Sequence, residues 1–336
     1  MTYAYDPELA PWTALPGLRP LDFSHPEAAR AAIREAAGGL PGYEPSRPVH
    51  VTDTLIPGPP GAPEVTVRIY RPHDDAASSP AAPLPALLYF HWGGLVCGDL
   101  DTNHASALRL ADQVGAVVVS VDYRLAPEHR SPCGLEDGYA ALVWVVDHAD
   151  ELRIDPHRVG VAGDSAGGGL AAGLALLARD RGGPQLCFQC LNFPMLDDRL
   201  DTPSAHAFTD TPVLDRAAAL QSWRHYLGCP GEEERISPYA APARAHDLAG
   251  LPPAYISACE FDPLRDEDIA YGHRLIQAGV PTELHHYAGT FHASTALAEA
   301  AVSQRMISDQ HAALRRGLRT GRPAAGQPEA RDGSTL

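Results

Sequence analysis

The sequence has no long apolar run and few basic residues. None of its hydrophobic stretches approaches the length of a membrane span, and residues 116–121 and 141–146 are short enough to be core segments. The 26 Lys and Arg residues stand against 42 Asp and Glu residues, which gives a formal net charge of −16. Because this surplus of negative charge repels phosphate groups, we expect neither nucleic acid nor an anionic membrane as a partner.

Signals for export, disulfide bonds and metal binding are absent as well. The first residues, MTYAYDPELAPW, lack the basic and the apolar segments of a secretory signal. The six cysteines are scattered, and Cys187 and Cys190 fall in a predicted strand, where side chains three residues apart face opposite sides. We therefore expect reduced thiols in a cytoplasmic protein. The 16 histidines show no ligand spacing such as H-E-x-x-H, so we expect no metal and no cofactor.

From about residue 64 onward, strand patterns alternate with helix patterns. The predicted strands are residues 64–70, 84–92, 115–123, 158–163, 187–193, 252–260 and 281–288. The predicted helices between them are residues 104–115, 136–151, 169–180 and 265–279. Such alternation predicts an α/β protein with a mostly parallel sheet that has helices on both faces.

Two regions interrupt this alternation. Residues 1–45 contain one predicted helix at 26–37, and residues 196–245 contain another near 217–227. We expect these two regions to pack together as a cap over the carboxyl edge of the sheet. Residues 46–195 and 246–321 are then the two parts of the core. The tail, residues 322–336, is rich in Pro, Gly and Ala and is predicted to be disordered.

One serine, Ser165, lies between a strand pattern and a helix-forming run in VAGDSAGGGLAAGLALLARD. Gly163 and Gly167 flank it, which allows a turn so tight that the strand end nearly touches the helix start. Such a turn strains the serine backbone and holds its hydroxyl out into a cleft. A glycine-rich turn can also hold phosphate, but the G-x-x-x-x-G-K-[ST] and G-x-G-x-x-G patterns are absent. The turn therefore favours a nucleophile.

A serine nucleophile needs a histidine base held by a carboxylate, and in this kind of fold the chain order is Ser, acid, His. Asp262 directly follows a predicted strand, while Asp266 and Glu267 suit the first turn of the next helix. His292 lies in the loop after the last predicted strand, at the correct edge for a partner of Ser165. The rival histidines fall inside predicted elements. His273 lies in the helix 265–279, His285 and His286 lie in the strand 281–288, and His311 lies in a final helix predicted after that strand.

The stretch HWGGLVCGDL supplies hydrogen-bond donors for the negative oxygen that forms when an ester carbonyl is attacked. The strand is predicted to end near His91, and Gly93 and Gly94 can turn their amides into the cleft without obstruction by a side chain. The N–H of Ala166, next to the nucleophile, is the expected third donor. Without Ser165, an ordinary turn is the simpler interpretation of the two glycines.

Several motifs together resemble the hormone-sensitive-lipase family of α/β-hydrolases, over about residues 85–295. They are HWGG with Gly98, DYRLAPEH, GDSAGGGLA, DPLRDE and FH. The resemblance implies a catalytic triad and a set of oxyanion donors: Ser165, Asp262 and His292, with Gly93, Gly94 and Ala166. It also implies a cap built from the N-terminal segment and an insertion, and frequent homodimers. One position departs from the family, because Trp92 stands where the usual H-G-G-G motif has its first glycine.

The predicted protein is a serine carboxylesterase that acts on short- to medium-chain esters of small molecules. Trp92 is expected to line the pocket and shorten its acyl side, and the alternative is that its ring packs behind the turn and stiffens it. Leu95 and Asp164 are further candidates for the pocket. Asp164 also suits a role in orienting the nucleophile turn, and Arg124 and Glu128 are expected to pair inside the core. An alternative is a deacetylase or amidase that acts on a specialised metabolite. A non-catalytic receptor on the same fold is a further alternative, although the retained histidine argues against it.

Overall fold

The computed structural model describes residues 3–15, 18–38, 42–73, 82–228 and 236–320. Its strands are β1 (Val49–Ile56), β2 (Val65–Pro72), β3 (Leu84–Phe90), β4 (Val117–Val121), β5 (Ile154–Asp164), β6 (Phe188–Asn192), β7 (Ala254–Phe261) and β8 (Thr282–Phe291). They form one sheet in the order β1-β2-β4-β3-β5-β6-β7-β8. The β1–β2 and β2–β4 pairs are antiparallel, and the other neighbours are parallel. The predicted α/β fold is therefore confirmed.

The helices of the described residues are α1 (Pro26–Gly38), α2 (His104–Val114), α3 (Cys133–Asp147), α4 (Ala166–Asp180), α5 (Pro203–Ala207), α6 (Arg216–Leu227), α7 (Arg265–Gln277) and α8 (Ala301–Gly317). They cover both faces of the sheet. Leu88 of β3 belongs to the hydrophobic cluster that includes α3, α4 and α7, whereas its neighbour Leu87 belongs to the cluster that includes α2 and α8. Strands covered on both faces need apolar residues throughout, which explains the unbroken LPALLYF and VVVSV runs.

Six parallel strands, β3 to β8, end at one edge of the sheet, and four of them are followed by candidate site residues. The strands β3, β5, β7 and β8 end at Phe90, Asp164, Phe261 and Phe291. Parallel strands all point the same way, so the residues that follow these four ends meet at that edge. Those residues are His91, Ser165, Asp262 and His292.

Among the strands and α-helices, β1 and α5 are not predicted from the sequence pattern. Strand β1 is an exposed edge strand whose sequence, VHVTDTLI, alternates weakly between apolar and polar residues. Helix α5 has only five residues and is capped by Thr202, whose hydroxyl accepts a hydrogen bond from the Ala205 amide at 3.2 Å. Both elements bury little apolar surface, so the hydrophobic pattern that reveals the other elements is weak in them.

The expected pair between Arg124 and Glu128 is wrong. The Arg124 guanidinium binds the Asp137 carboxylate of α3, with Nη2 2.7 Å from Oδ1. Glu128 instead forms two hydrogen bonds with Arg30 of α1, at 2.9 and 2.7 Å. Residues 124 and 128 lie outside any helix, so a spacing of four residues does not bring their side chains to one face.

The N-terminal segment is hydrogen-bonded to a loop that precedes α6. The Leu21 amide donates to the Val213 carbonyl at 3.0 Å, and the Val213 amide donates to the Leu18 carbonyl at 3.0 Å. No helix within the described ranges combines the length and the apolar character that a membrane span requires. The tail predicted to be disordered, residues 322–336, lies outside the described residues.

We predict that Asp137→Ala lowers the free energy of unfolding by about 3–5 kcal/mol, because it leaves the Arg124 charge without its buried partner. The Asp137 side chain is 0% exposed. Glu128→Ala is the control, since the Glu128 side chain is 52% exposed and we expect a loss of about 1 kcal/mol or less. Urea unfolding followed by circular dichroism measures both. Equal losses in the two variants would contradict the importance of the buried pair.

Candidate active site

Ser165 lies in a strained turn between β5 and α4. Its backbone angles are φ 56° and ψ −120°, a conformation that a residue with a side chain rarely adopts. The turn brings α4 against the end of β3: a Cβ at Gly167 would lie only 2.6 Å from the His91 carbonyl oxygen. At Gly163, a Cβ would collide with the Gly167 backbone. Only glycine fits at either position, and the serine hydroxyl stands at the tip of the turn.

The three residues predicted as a triad lie within hydrogen-bonding distance of one another. The Ser165 Oγ is 2.8 Å from His292 Nε2, and His292 Nδ1 is 2.7 Å from Asp262 Oδ2. A carboxylate only accepts hydrogen bonds, so Nδ1 carries the proton and Nε2 is free to accept one. The second Asp262 oxygen accepts from the Leu264 amide at 2.9 Å. All three side chains are buried, which protects these contacts from competition by water.

Three backbone amides near Ser165 have no acceptor among the described residues: those of Gly93, Gly94 and Ala166. Ala166 is the first residue of α4, where amides have no partner inside the helix. Gly93 and Gly94 have φ angles of 135° and 62°, which glycine adopts at little cost. Unpaired amides beside a nucleophile can bind an oxygen that becomes negative.

His91 holds the turn that carries two of these amides. Its Nδ1–H donates to the Trp92 carbonyl oxygen at 2.8 Å, and its ring stacks on Tyr123 at 4.2 Å between ring centres. Burial lowers the pKa of His91 to about 4, so its ring is neutral near pH 7. In a trans peptide the N–H points opposite to the carbonyl. The Trp92 carbonyl and the Gly93 N–H belong to the same peptide group. Because His91 holds the carbonyl oxygen on its own side, the Gly93 N–H points away from His91.

A small, partly open cavity lies over the serine. Ser165 and His292 are its reactive groups, and most other lining residues are apolar: Leu21, Phe23, Trp92, Gly93, Gly94, Met195, Val213, Leu214 and Ala293. Trp92 thus lies where the sequence analysis expects a pocket residue. Four further lining residues are not predicted from the sequence: Leu21, Phe23, Val213 and Leu214. They are distant in sequence from the motifs around Ser165 and His292, and they belong to no motif themselves.

Leu95 and Asp164 lie outside the lining of this cavity. Leu95 is buried in the hydrophobic core, and its carbonyl accepts a hydrogen bond from the Ala126 amide at 2.9 Å. The Asp164 carboxylate accepts from Tyr89 Oη and Asn192 Nδ2, each at 2.6 Å. The Asn192 carbonyl in turn accepts from the Ser165 amide at 2.9 Å. Asp164 therefore links β3, β5 and β6 just beneath the nucleophile turn.

Two buried carboxyls lie one turn beyond Asp262. Glu267 accepts hydrogen bonds from the Leu196 and Asp197 amides at 2.7 and 3.0 Å, whereas both oxygens of Asp268 lack a partner among the described residues. Burial, followed by the charge of Asp262, raises the pKa of Asp268 well above its ordinary value. No group of three His, Cys, Asp or Glu residues in the described ranges can hold a metal ion. The expected absence of a metal stays a prediction.

Comparison with known proteins identifies the class of this fold and site. A family model described as alpha/beta hydrolase fold matches residues 87–296. The chain belongs to this family, and its motifs assign it to the hormone-sensitive-lipase-like members.

Several individual members of the family are similar to the chain over most of its length. Esterase LipI of Mycobacterium tuberculosis is 44% identical over 266 residues, which cover 77% of this chain and 78% of that protein. Ethyl acetate hydrolase of Pseudomonas putida is 35% identical and covers 67% of this chain and 70% of that protein. The structure titled Bacterial Heroin Esterase superposes with a TM-score of 0.88 at 46% identity, covering 94% of this chain and 98% of that one.

We predict that Asp268→Asn makes the protein more stable relative to the wild type as pH rises. An unfolded Asp titrates near pH 4, and burial raises the pKa of Asp268 in the fold. Between these two values the folded protein holds a proton that the unfolded chain has lost, so the group reduces stability as pH rises. Urea unfolding between pH 4 and pH 8 measures the difference.

Asp266→Asn is the matched control for this measurement. Burial raises the pKa of Asp266, but the hydrogen bonds from Arg265 and Ser204 outweigh this effect and leave its pKa below the ordinary value. The native carboxylate therefore stabilises the fold above about pH 4, and this contribution is already complete there. The stability of Asp266→Asn relative to the wild type should therefore stay nearly constant between pH 4 and pH 8. The same pH dependence in both variants would contradict the assignment.

Proposed function

We propose that this protein is a serine carboxylesterase that hydrolyses short- to medium-chain esters of small molecules. The observation that carries the proposal is the hydrogen-bonded series Ser165–His292–Asp262 beside unpaired backbone amides. The names of its relatives, an esterase and an ethyl acetate hydrolase, support the same chemistry. The apolar cavity favours neutral acyl and alcohol groups, since a buried charge without a partner is costly.

In this mechanism Ser165 attacks the ester carbonyl while His292 takes the serine proton through Nε2. Asp262 holds the ring through Nδ1 and stabilises the positive charge that develops on it. His292 then gives the proton to the departing alcohol, and an acyl-serine remains. A water molecule, activated by the same histidine, releases the acid. These residues need neither a metal nor an organic cofactor.

The amides of Gly93, Gly94 and Ala166 are the proposed oxyanion donors. The attacked oxygen gains charge in the transition state, so donors that are already in place stabilise it without reorganisation. The hydrogen bond from His91 to the Trp92 carbonyl fixes the orientation of the peptide group that carries the Gly93 amide. Substitution of one such donor in a hydrolase lowers kcat by about 10²–10³.

Residues 1–45 and 196–245 are proposed to form a cap over the core segments 46–195 and 246–321. The hydrogen bonds between Leu21 and Val213 and between Val213 and Leu18 support this division.

We also propose a cytoplasmic location, supported by the five described cysteines, which form no disulfide among the described residues. A homodimer is expected from the family resemblance, and light scattering tests it.

We predict that Ser165→Ala lowers kcat/KM for p-nitrophenyl acetate by several orders of magnitude, because no other group replaces the nucleophile. The fold should be retained, which circular dichroism checks. A fluorophosphonate probe should label Ser165 in the wild type and no residue in the variant. Labelling of the variant protein at another serine would show that the nucleophile is misassigned.

The same assay tests which histidine is the base, by substitution of His292, which follows β8, and of His286, which lies within β8. His292→Asn should abolish turnover, because asparagine cannot accept the serine proton. His286→Asn is the control, since His286 lies within β8 and outside the triad. If the His286 variant is the inactive one, His292 is not the base.

We predict that Trp92→Gly shifts the preference of the enzyme from acetyl and butyryl esters toward hexanoyl and octanoyl esters. The tryptophan lines the cavity beside the oxyanion glycines, so its removal makes room for a longer chain. Each additional methylene is worth about 0.8 kcal/mol at most, or about fourfold in kcat/KM. A series of p-nitrophenyl esters measures the shift. A uniform decrease for all chain lengths would mean that Trp92 only stiffens the turn.

A further inference from the structure

Phe23 forms a wall of the cavity directly against the oxyanion loop. The residue is 1% exposed, and it lines the cavity together with Gly94. A Cβ on Gly94 would lie 2.4 Å from Ser222 Oγ, 2.8 Å from Phe23 Cζ and 3.2 Å from Phe23 Cε1. The ring and the Ser222 hydroxyl together occupy the space where a side chain would stand. The carbonyl of a bound ester must reach the Gly94 amide. The ring is therefore close to the atoms bonded to the carbonyl carbon.

Two side chains of α6 hold the Phe23 backbone in place. Gln221 Oε1 accepts a hydrogen bond from the Phe23 amide at 2.8 Å. His225 Nε2–H donates to the Phe23 carbonyl oxygen at 2.8 Å. Gln221 and His225 are four residues apart and therefore lie on the same face of α6. This explains how one helix can bind both the amide and the carbonyl of Phe23. The Phe23 backbone cannot move away from α6 without breaking both bonds.

Helix α6 is itself well anchored. Asp215 caps its first turn by accepting from the Ala218 amide at 2.8 Å. Trp223 and Tyr226 are buried in the main hydrophobic cluster. The bond from Leu21 to Val213 ties the same N-terminal segment to the loop before α6. The Phe23 backbone is therefore attached to a helix that is itself capped and packed into the core.

The geometry points to Phe23 as the residue that excludes esters branched at the carbon next to the carbonyl, and to Gln221 and His225 as the residues that hold it in position. This inference rests on the proposed carboxylesterase function. A linear acyl chain places one methylene beside the ring and then continues along the cavity. A branched chain needs room for two groups at that first carbon, and a packed aromatic ring provides none. Phe23 thus controls branching, whereas the proposed effect of Trp92 concerns chain length.

The isomeric substrates p-nitrophenyl butyrate and p-nitrophenyl isobutyrate test the proposal, because they have the same leaving group and the same number of carbons. The measured quantity is the ratio of their kcat/KM values, butyrate over isobutyrate. The wild type should favour butyrate. Phe23→Ala should lower the ratio by about tenfold, the scale at which one methylene is discriminated in a tight pocket. An unchanged ratio in this variant would overturn the proposal.

His225 offers a matched pair of substitutions that leaves Phe23 itself intact. His225→Gln keeps an N–H donor at nearly the position of Nε2, whereas His225→Met has similar length but no donor. His225→Met should lower the ratio by about fivefold, the effect of losing one hydrogen bond, and His225→Gln should keep the wild-type ratio. Equal ratios in the two variants would overturn the role of this hydrogen bond.

Gln221→Met provides a second test at the other polar group of Phe23. It should lower the ratio in the same direction as His225→Met. Gln221→Glu is not suitable, because Asp22 lies close to the Gln221 side chain and a second carboxylate would repel it. A higher or unchanged ratio in Gln221→Met would contradict the proposed hold on Phe23.

Fluorophosphonate labelling and thermal unfolding are measured on every variant. Labelling of Ser165 at the wild-type rate shows that the nucleophile is intact, so a changed ratio then reports on the pocket alone. Absence of hydrolysis and labelling in the wild type would overturn both the proposed function and this inference. Normal wild-type hydrolysis with equal kcat/KM for the two isomers would overturn this inference alone.

Discussion

The close approach of α4 to the ends of β3 and β5 is the constraint on which the rest of the site depends. Gly163 and Gly167 have no side chains and so permit the contact. Ser165, between them, has a strained backbone conformation that the surrounding turn maintains. The same turn leaves the Ala166 amide unpaired at the start of a helix. One local geometry thus presents a hydroxyl and a hydrogen-bond donor side by side.

The sheet supplies the partners of this turn. Asp262 and His292 follow β7 and β8 at the edge where Ser165 follows β5, so parallel strand direction brings together residues that are up to 127 positions apart. Burial then strengthens the contacts between them, since fewer waters compete. Burial also disfavours negative charge near Asp262, and the raised pKa values of Glu267 and Asp268 reflect this.

Part of the pocket has a different origin from the reactive groups. Ser165 and His292 come from strand ends, whereas Leu21, Phe23, Val213 and Leu214 come from the two regions outside the strand–helix alternation. These regions are joined to each other by backbone hydrogen bonds and by the grip of α6 on Phe23. Part of the cavity wall is therefore supplied by segments that carry none of the reactive groups, whereas Trp92, Met195 and Ala293 come from the same segments as Ser165 and His292.

The sequence by itself determined the fold class, seven of the eight strands and the strand-end positions of Ser165, Asp262 and His292, because alternation, glycine spacing and chain order are local signals. It did not reveal β1, whose exposed residues bury little apolar surface, or the partners of Arg124 and Glu128. Only the tertiary structure decided that Phe23 lies against Gly94. Contacts between loops distant along the chain depend on how α6 and the N-terminal segment pack, and no local pattern records that packing.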